Sequence, residues 1–138
     1  AGTKTKGVQL GDQVTHRRAL SHLSKERVGI VAGGIGRPYL TTDTAAVSLA
    51  LELDCDVNLK ATKVDGVYDS DPASNPDAKK FKQLTLKEAV EQPNIQIMDK
   101  AAIALAYDHQ QSIIVFDLLT PSNIANAIIG KSVGTTIT

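Results

Sequence analysis

The sequence predicts an α/β fold with a mainly parallel sheet and helices on both faces. Apolar, β-branched runs typical of buried strands alternate with segments of helical periodicity, and this alternation favours parallel pairing. A chain of 138 residues that is 42% hydrophobic can bury a core of its own. Since no repeat or linker divides the sequence, we predict that residues 1–138 form a single domain.

The first half of the chain predicts two helices and two strands. Thr15 begins a short amphipathic helix, and Arg27–Ala32 is a β-branched run that predicts a buried parallel strand. Threonines and an aspartate offer an N-cap and a first-turn acid before Ala45–Leu53, a helix that is apolar on nearly every side. We expect that helix to be sandwiched between layers. Asp56–Thr62 predicts the second strand.

The second half begins with turn and loop signals. Lys63–Tyr68 centres an Asp-Gly pair, which predicts a β-hairpin, and Asp69–Lys80 is a long polar loop of the kind that is often functional. Thr85 and Glu88 form a capping box that begins a helix. The remaining predicted elements are a helix over Asp99–His109, a strand over Ser112–Leu119, a helix from Thr120-Pro121 to Gly130 and an edge strand over Val133–Thr138.

Composition excludes several classes of function. Fifteen basic residues balance fifteen acidic ones, there is no Trp, and aromatic residues make up 4% of the chain. Neither a clustered basic surface nor a stacking platform is predicted, so we expect no nucleic-acid partner. No apolar run is long enough for a membrane span and no signal peptide opens the sequence, which predicts a cytoplasmic protein with no membrane partner. The single cysteine, Cys55, fits a reducing compartment, and we expect it in the core.

Ligands of parallel sheets bind at the carboxyl ends of strands, which directs attention to the residues after Ala32 and after Thr62. The first of these ends carries glycines 33, 34 and 36 before a helix start, where backbone N–H groups and Arg37 could bind an anion. The alternative is a tight turn in which Thr42 caps the helix. The spacing does not match a dinucleotide-binding or P-loop motif.

The second strand end, residues 60–72, combines a lysine, a threonine, a tight turn, an aromatic ring and an acid. Such a segment can cradle a nucleotide, with Tyr68 against a base and Asp71 on sugar or base donors; the alternative is a plain hairpin. Calcium is not expected, because Ala73 and Ser74 stand where an EF-hand loop needs an oxygen ligand and a glycine.

These segments resemble bacterial uridylate (UMP) kinases of the amino acid kinase superfamily. Residues 60–72 are similar to their K-A-T-K-V-D-G-V-Y/F...D-P segment, which aspartate and glutamate kinases share. The stretch Gly36-x-Pro38-Tyr39-x-Thr41-Thr42-Asp43 points more specifically to UMP. The resemblance implies the carboxyl-terminal nucleotide-binding part of an amino acid kinase-like fold.

The resemblance further implies transfer of the ATP γ-phosphoryl group to UMP, giving UDP for pyrimidine nucleotide biosynthesis. Mg²⁺ would accompany ATP as cofactor. The family resemblance also implies a cytoplasmic homohexamer with GTP as activator and UTP as inhibitor.

Site residues follow from the resemblance by position. Thr62, Tyr68 and Asp71 are expected to contact ATP. Asp43 and Asp99 are the candidate catalytic residues, because they fall on family acids that order the site or magnesium; helix capping is the alternative for each. Lys60 is expected either to face phosphates or to pair with an acid. The residues expected to line the UMP site are Ile35, Gly36, Arg37, Pro38, Tyr39, Leu40, Thr41 and Thr42.

Two departures from the family pattern affect the predicted activity. Arg37 stands where an uncharged residue is expected. The chain also lacks the family's first strand with a catalytic lysine, its glycine loop and its UMP-binding aspartate, so we expect a truncated kinase that is inactive alone. The alternatives are a non-catalytic nucleotide-binding, storage or regulatory protein on the same fold and, less favoured, a carboxylate kinase.

Overall fold

The computed structural model describes residues 14–95 and 97–138. Helices and strands are interspersed along this part of the chain, although α1 and α2, β1 and β2, and α3 and α4 follow one another directly. In chain order the elements are α1 (His16–Leu23), α2 (Thr42–Glu52), β1 (Val57–Thr62), β2 (Gln83–Leu84), α3 (Leu86–Glu91), α4 (Lys100–Asp108), β3 (Ser112–Asp117), α5 (Asn123–Ile128) and β4 (Thr135–Ile137).

The four strands form one sheet in the order β1-β3-β4-β2. β1 is parallel to β3 along its whole length, with Val57 opposite Ser112 and Thr62 opposite Asp117. β2 is parallel to β4, whereas β3 and β4 are antiparallel. The α/β class is therefore confirmed, with one antiparallel pair inside the sheet.

The placement of β4 corrects the prediction of an edge strand over Val133–Thr138. β4 lies between β3 and β2, and Ile137 is fully buried. The neighbour that covers it, β2, has two residues, too few to show the alternating pattern by which a strand is recognised.

The hydrophobic core lies where α4 packs on both α2 and α3 and where α2 packs on β1. Several of its side chains are fully buried, which fixes the helices relative to the carboxyl end of the β1–β3 pair. The fully buried apolar members are Val47, Ala102, Ala106, Ile113 and Ile137.

Local capping signals place the helix starts. Thr15, Thr41 and Asp99 each accept a backbone N–H bond as the N-cap of α1, α2 and α4. Thr85 and Glu88 form the predicted capping box of α3, in which each side chain bonds the other's backbone N–H. These helix starts agree with the sequence prediction.

Helix α2 is less enclosed than its apolar sequence predicts. Its buried residues are Thr44, Val47 and Ala50, which follow one face at three-residue spacing. The prediction of a helix sandwiched on nearly every side is wrong, because alanines tolerate exposure that larger apolar side chains do not.

The segment Arg27–Ala32 is not a strand in this structure. Val28 and Ile30 are 93% and 94% exposed, and no strand among the described residues pairs with the segment. The predicted strand is therefore wrong for this chain as it stands. A β-branched run favours extended backbone, but a strand also needs a neighbour to complete its hydrogen bonds.

The hairpin predicted over Lys63–Tyr68 is also wrong. After β1 the backbone bends, and the N–H of Val67 donates to Oγ1 of Thr135 in β4 at 2.9 Å. Gly66 lies so close to β4 that an added Cβ would sit 2.7 Å from the same oxygen. The Asp-Gly pair thus turns the chain toward β4, and an isolated antiparallel bridge between Tyr68 and Lys80 closes the polar loop.

Two local predictions need smaller corrections. Cys55 is exposed, just after α2 ends, and does not lie in the core. α5 begins at Asn123, so Pro121 lies in the turn before the helix instead of at its first position; Gly130 follows the helix with a φ of +76°, as predicted for its end. Among the described residues no helix is both long and apolar enough to cross a bilayer.

Candidate nucleotide-binding site

A cavity of about 480 Å³ opens at the carboxyl end of β1. Lys60 and Thr62 reach it from β1, Val115 from the neighbouring β3, and the segment after β1 forms much of its wall. This volume lies within the roughly 300–1,000 Å³ typical of small-molecule sites. The position is the one at which α/β sheets bind ligands.

The three residues predicted to contact ATP share this cavity. Thr62, Tyr68 and Asp71 all line it, and they come from one short segment of the chain. The turn at 63–66 and the residues that follow bring them together. The wall therefore combines a hydroxyl, an aromatic ring and a carboxylate around an apolar floor that includes Val115.

Tyr68 is held at its hydroxyl. Its Oη donates a hydrogen bond of 2.7 Å to Asp65 Oδ1, and Nζ of Lys80 donates to Asp65 Oδ2 at 2.9 Å. These two bonds lower the pKa of Asp65 below its ordinary value, and the bond from Tyr68 has the larger effect. The same carboxylate raises the pKa of Tyr68, so the phenol stays protonated well into alkaline solution.

Asp71 organises the turn that follows it. Its Oδ1 accepts from the N–H of Ala73 at 2.9 Å, and its carbonyl oxygen accepts from the N–H of Asn75, also at 2.9 Å. The side chain is exposed at the cavity rim. An Asx turn therefore fixes this carboxylate facing a space in which a ligand hydroxyl or amine could reach it.

Lys60, which lines the cavity, forms an ion pair with both carboxylate oxygens of Asp43. Nζ of Lys60 lies 2.8 Å from both carboxylate oxygens of Asp43, and both side chains are about three quarters buried, with exposures of 22% and 27%. Of the two alternatives for Lys60, the structure shows pairing with an acid. Asp43 does not cap α2, because Thr41 does.

Asp99 joins the starts of two helices. It accepts from the N–H of Ala102 at 2.8 Å as the N-cap of α4, and from the hydroxyls of Thr41 and Thr44 at the start of α2. Burial raises the pKa of this carboxyl, but hydrogen bonds from the threonines and the helix N–H groups outweigh burial and leave the pKa below its ordinary value. The capping alternative for Asp99 is thus observed.

The segment predicted to line the UMP site, Ile35–Thr42, lies apart from the described cavity. Gly36 and Tyr39 adopt positive φ values of 66°, and the ring of Tyr39 is fully exposed. At the end of the segment, Thr41 bonds Asp99, and the adjacent Asp43 pairs with Lys60 of the cavity. Among the described residues, the segment is therefore linked to the cavity through the adjacent Asp43, which pairs with Lys60.

The sequence interpretation did not identify Asn94 as part of the site. Asn94 lines the cavity from the loop between α3 and α4, and Ile97 lies beside it. No motif in the residues around Asn94 signals a ligand. Ile97 lies two residues before Asp99, which the sequence analysis identified as a family acid, and that acid is the one signal that could have drawn attention to this loop.

No metal centre is built from side chains within residues 14–95 and 97–138. No group of three or more His, Cys, Asp or Glu side chains there could hold an ion. Both oxygens of Asp43 bond Lys60, and Asp99 is occupied by two threonines and a helix N–H. As arranged here, the two predicted acids do not fit as metal ligands.

Comparisons with known proteins agree on one family. The model of the amino acid kinase family matches residues 6–117. Uridylate kinase of Corynebacterium diphtheriae is 46% identical over 129 residues, which cover 94% of this chain and 53% of that protein. Uridylate kinase of Rickettsia felis is 50% identical over 121 residues, covering 88% and 50%.

Solved structures give the same result. A UMP kinase from Bacillus anthracis superposes with a TM-score of 0.87 at 38% identity, covering 92% of this chain and 52% of that one. A UMP kinase from Ureaplasma parvum gives 0.85 at 32% identity, covering 97% and 57%. The chain spans about half the length of the relatives it matches.

The fold is that of an α/β protein with a cavity at the carboxyl end of the parallel β1–β3 pair, the position at which α/β sheets bind ligands. The match over residues 6–117 covers most of the sequence. The chain belongs to the amino acid kinase family.

Proposed function

We propose that residues 1–138 are the carboxyl-terminal, nucleotide-binding portion of a UMP kinase, which transfers the γ-phosphoryl group of ATP to UMP. The observation that carries this proposal is the cavity in which Thr62, Tyr68 and Asp71 meet. Matches to uridylate kinases at 46% and 50% identity support the choice of acceptor. The activity belongs to the complete protein, since the chain spans about half of those relatives.

In this proposal the cavity binds ATP. Tyr68 offers a rigid ring for one face of the base, and base–aromatic stacking contributes roughly 1–3 kcal/mol. Asp71, fixed by its turn, accepts from sugar or base donors. Thr62 lies at the end of β1, and its Oγ1 already accepts from the N–H of Val64 at 2.9 Å, which leaves its proton for a ligand oxygen.

The ion pair between Lys60 and Asp43 supports a role at the phosphates. The pair connects the cavity, which Lys60 lines, with Asp43 at the start of α2. A phosphoryl group transferred from ATP in the cavity to UMP along Ile35–Thr42 would therefore pass close to Lys60. Phosphoryl transfer depends mainly on positioning and charge neutralisation. We propose that Asp43 positions Lys60 and that Asp99 positions Thr41 and Thr44, instead of either acid reacting itself.

UMP is proposed to lie along Ile35–Thr42, where glycine N–H groups and Arg37 can approach a phosphate. Mg²⁺ enters with ATP, because magnesium in kinase sites takes most of its ligands from phosphates and water.

Four further parts of the proposal rest on the family resemblance. They are the homohexamer, the response to GTP and UTP, a role in pyrimidine biosynthesis and a cytoplasmic location.

The substrate assignment is tested by assaying the complete protein with Mg-ATP and UMP, CMP, AMP or GMP as acceptor. We expect UMP to be turned over with a kcat/KM at least about tenfold above each other acceptor, since a site that bonds the uracil edge leaves polar groups unpaired with the wrong base. ADP release coupled to NADH oxidation measures the rate. Equal turnover of all four acceptors would contradict the UMP assignment, and no turnover would favour a non-catalytic nucleotide-binding protein.

A further inference from the structure

Asp65 does not line the cavity, but its side chain bonds two residues, one at each carboxylate oxygen. One carboxylate oxygen accepts from the Tyr68 hydroxyl at 2.7 Å, and the other accepts from Nζ of Lys80 at 2.9 Å. Tyr68 lines the cavity, but neither Asp65 nor Lys80 does. Both oxygens are thus bonded to neighbouring side chains of the chain itself.

The backbone fixes the same three residues. Tyr68 and Lys80 are joined by the antiparallel bridge that closes the polar loop, and the stem of Lys80 packs over Gly66, where an added Cβ would lie 2.9 Å from Lys80 Cδ. The backbone around Asp65 is therefore restrained by these contacts. Its side chain remains 53% exposed, so the cluster is reached by water and its energetic effect is moderate.

A tyrosine ring has two side-chain torsions, and a bond at its hydroxyl restrains both by fixing the far end of the ring. A ring already held in the orientation that a ligand needs loses less conformational freedom when the ligand binds. The hydroxyl bond is charge-assisted, which makes it stronger than a neutral one.

We propose that Asp65 is a positioning residue of the nucleotide site: it holds the ring of Tyr68 through the hydroxyl while Lys80 holds Asp65, so that the ring is preset as one wall of the cavity. This inference rests on the proposed binding of ATP in that cavity. Asp65 acts through Tyr68 and does not touch the nucleotide.

The test is a calorimetric titration of the 138-residue chain with Mg-ATP, with circular dichroism as the check of folding. We expect Asp65→Ala to weaken affinity roughly threefold to tenfold, which corresponds to one moderately exposed charge-assisted bond. Tyr68→Phe keeps the ring and removes the hydroxyl. In that background, Asp65→Ala should cause no further loss of affinity for Mg-ATP. Asp77→Ala is the matched control. Asp77 lies in the same loop, and its carboxylate has no hydrogen-bond partner among the described residues, so this variant should bind Mg-ATP like wild type.

The outcomes separate this inference from the function on which it rests. If wild type does not bind Mg-ATP, the proposed ATP site is wrong and the inference falls with it. If wild type binds and Asp65→Ala binds equally well, only the role of Asp65 is wrong. An equal loss from Asp65→Ala in the wild-type and Tyr68→Phe backgrounds would show that Asp65 merely supports the fold, which also overturns the inference.

A second readout reports the contact itself. Because the Asp65 carboxylate raises the pKa of Tyr68, Asp65→Asn should shift the phenolate absorbance of one tyrosine to lower pH. Tyr68→Phe should remove that same component from the titration. An unchanged titration in Asp65→Asn would overturn the contact.

Discussion

Gly134→Ala is expected to lower the free energy of unfolding by about 4 kcal/mol, near the upper end for a single substitution. A Cβ at this position would lie 1.9 Å from the carbonyl oxygen of Val115 and 2.9 Å from Cα of Phe116. Both are backbone atoms of β3, so the strand itself would have to move. The residue also has a φ of +60°, where side chains other than glycine are strained. Urea unfolding followed by circular dichroism measures the loss.

Gly130→Ala is the matched control. Gly130 has a φ of +76°, but an added Cβ would meet nothing within 4 Å. Gly130→Ala therefore introduces backbone strain without a steric clash, and we expect it to lower the free energy of unfolding by about 1 kcal/mol. Equal losses for the two variants would mean that the approach of Gly134 to β3 contributes nothing.

Asp99→Ala is expected to cost about 2 kcal/mol of unfolding free energy. The change removes the N-cap of α4, which contributes about 1 kcal/mol, and the hydrogen bonds that join α4 to Thr41 and Thr44 of the neighbouring helix start. Asp108→Ala, at the exposed other end of α4, is the control and should stay within about 0.5 kcal/mol of wild type. A loss no larger than that of the control would contradict the role given to Asp99.

The effect of Asp99 should depend on pH in one direction. Its pKa in the folded chain lies below the ordinary value of 3.8, so folding favours the ionised form. The resulting stability is fully present above pH 3.8 and is lost as pH falls through the lower, folded-state pKa. The difference between wild type and Asp99→Ala should therefore shrink in acid below pH 3.8; a constant difference would contradict the assignment.

Features set by neighbouring residues were predictable from the sequence. The capping box of Thr85 and Glu88 and the cap at Asp99 each involve residues three positions apart, so the sequence contains the whole interaction. The same is true of the site wall, since Thr62, Tyr68 and Asp71 lie within one short segment.

Features set by distant partners were not predictable in this way. Arg27–Ala32 has the composition of a strand, but its state depends on a neighbour that the described residues do not supply. The Asp-Gly turn before Val67 is decided by Thr135, 68 residues away. Asn94 enters the site from another loop, and the sequence around it has no feature that signals a ligand.

The central claim is that the cavity at the end of β1 binds ATP, and the most direct measurement is an amide NMR titration of the isotope-labelled chain with Mg-ATP. We expect the shift changes to concentrate in residues 60–71 and at Asn94, to spare α5, and to disappear in Tyr68→Ala. Changes confined to the glycine turn at 33–36, or no changes at saturating Mg-ATP, would contradict the claim.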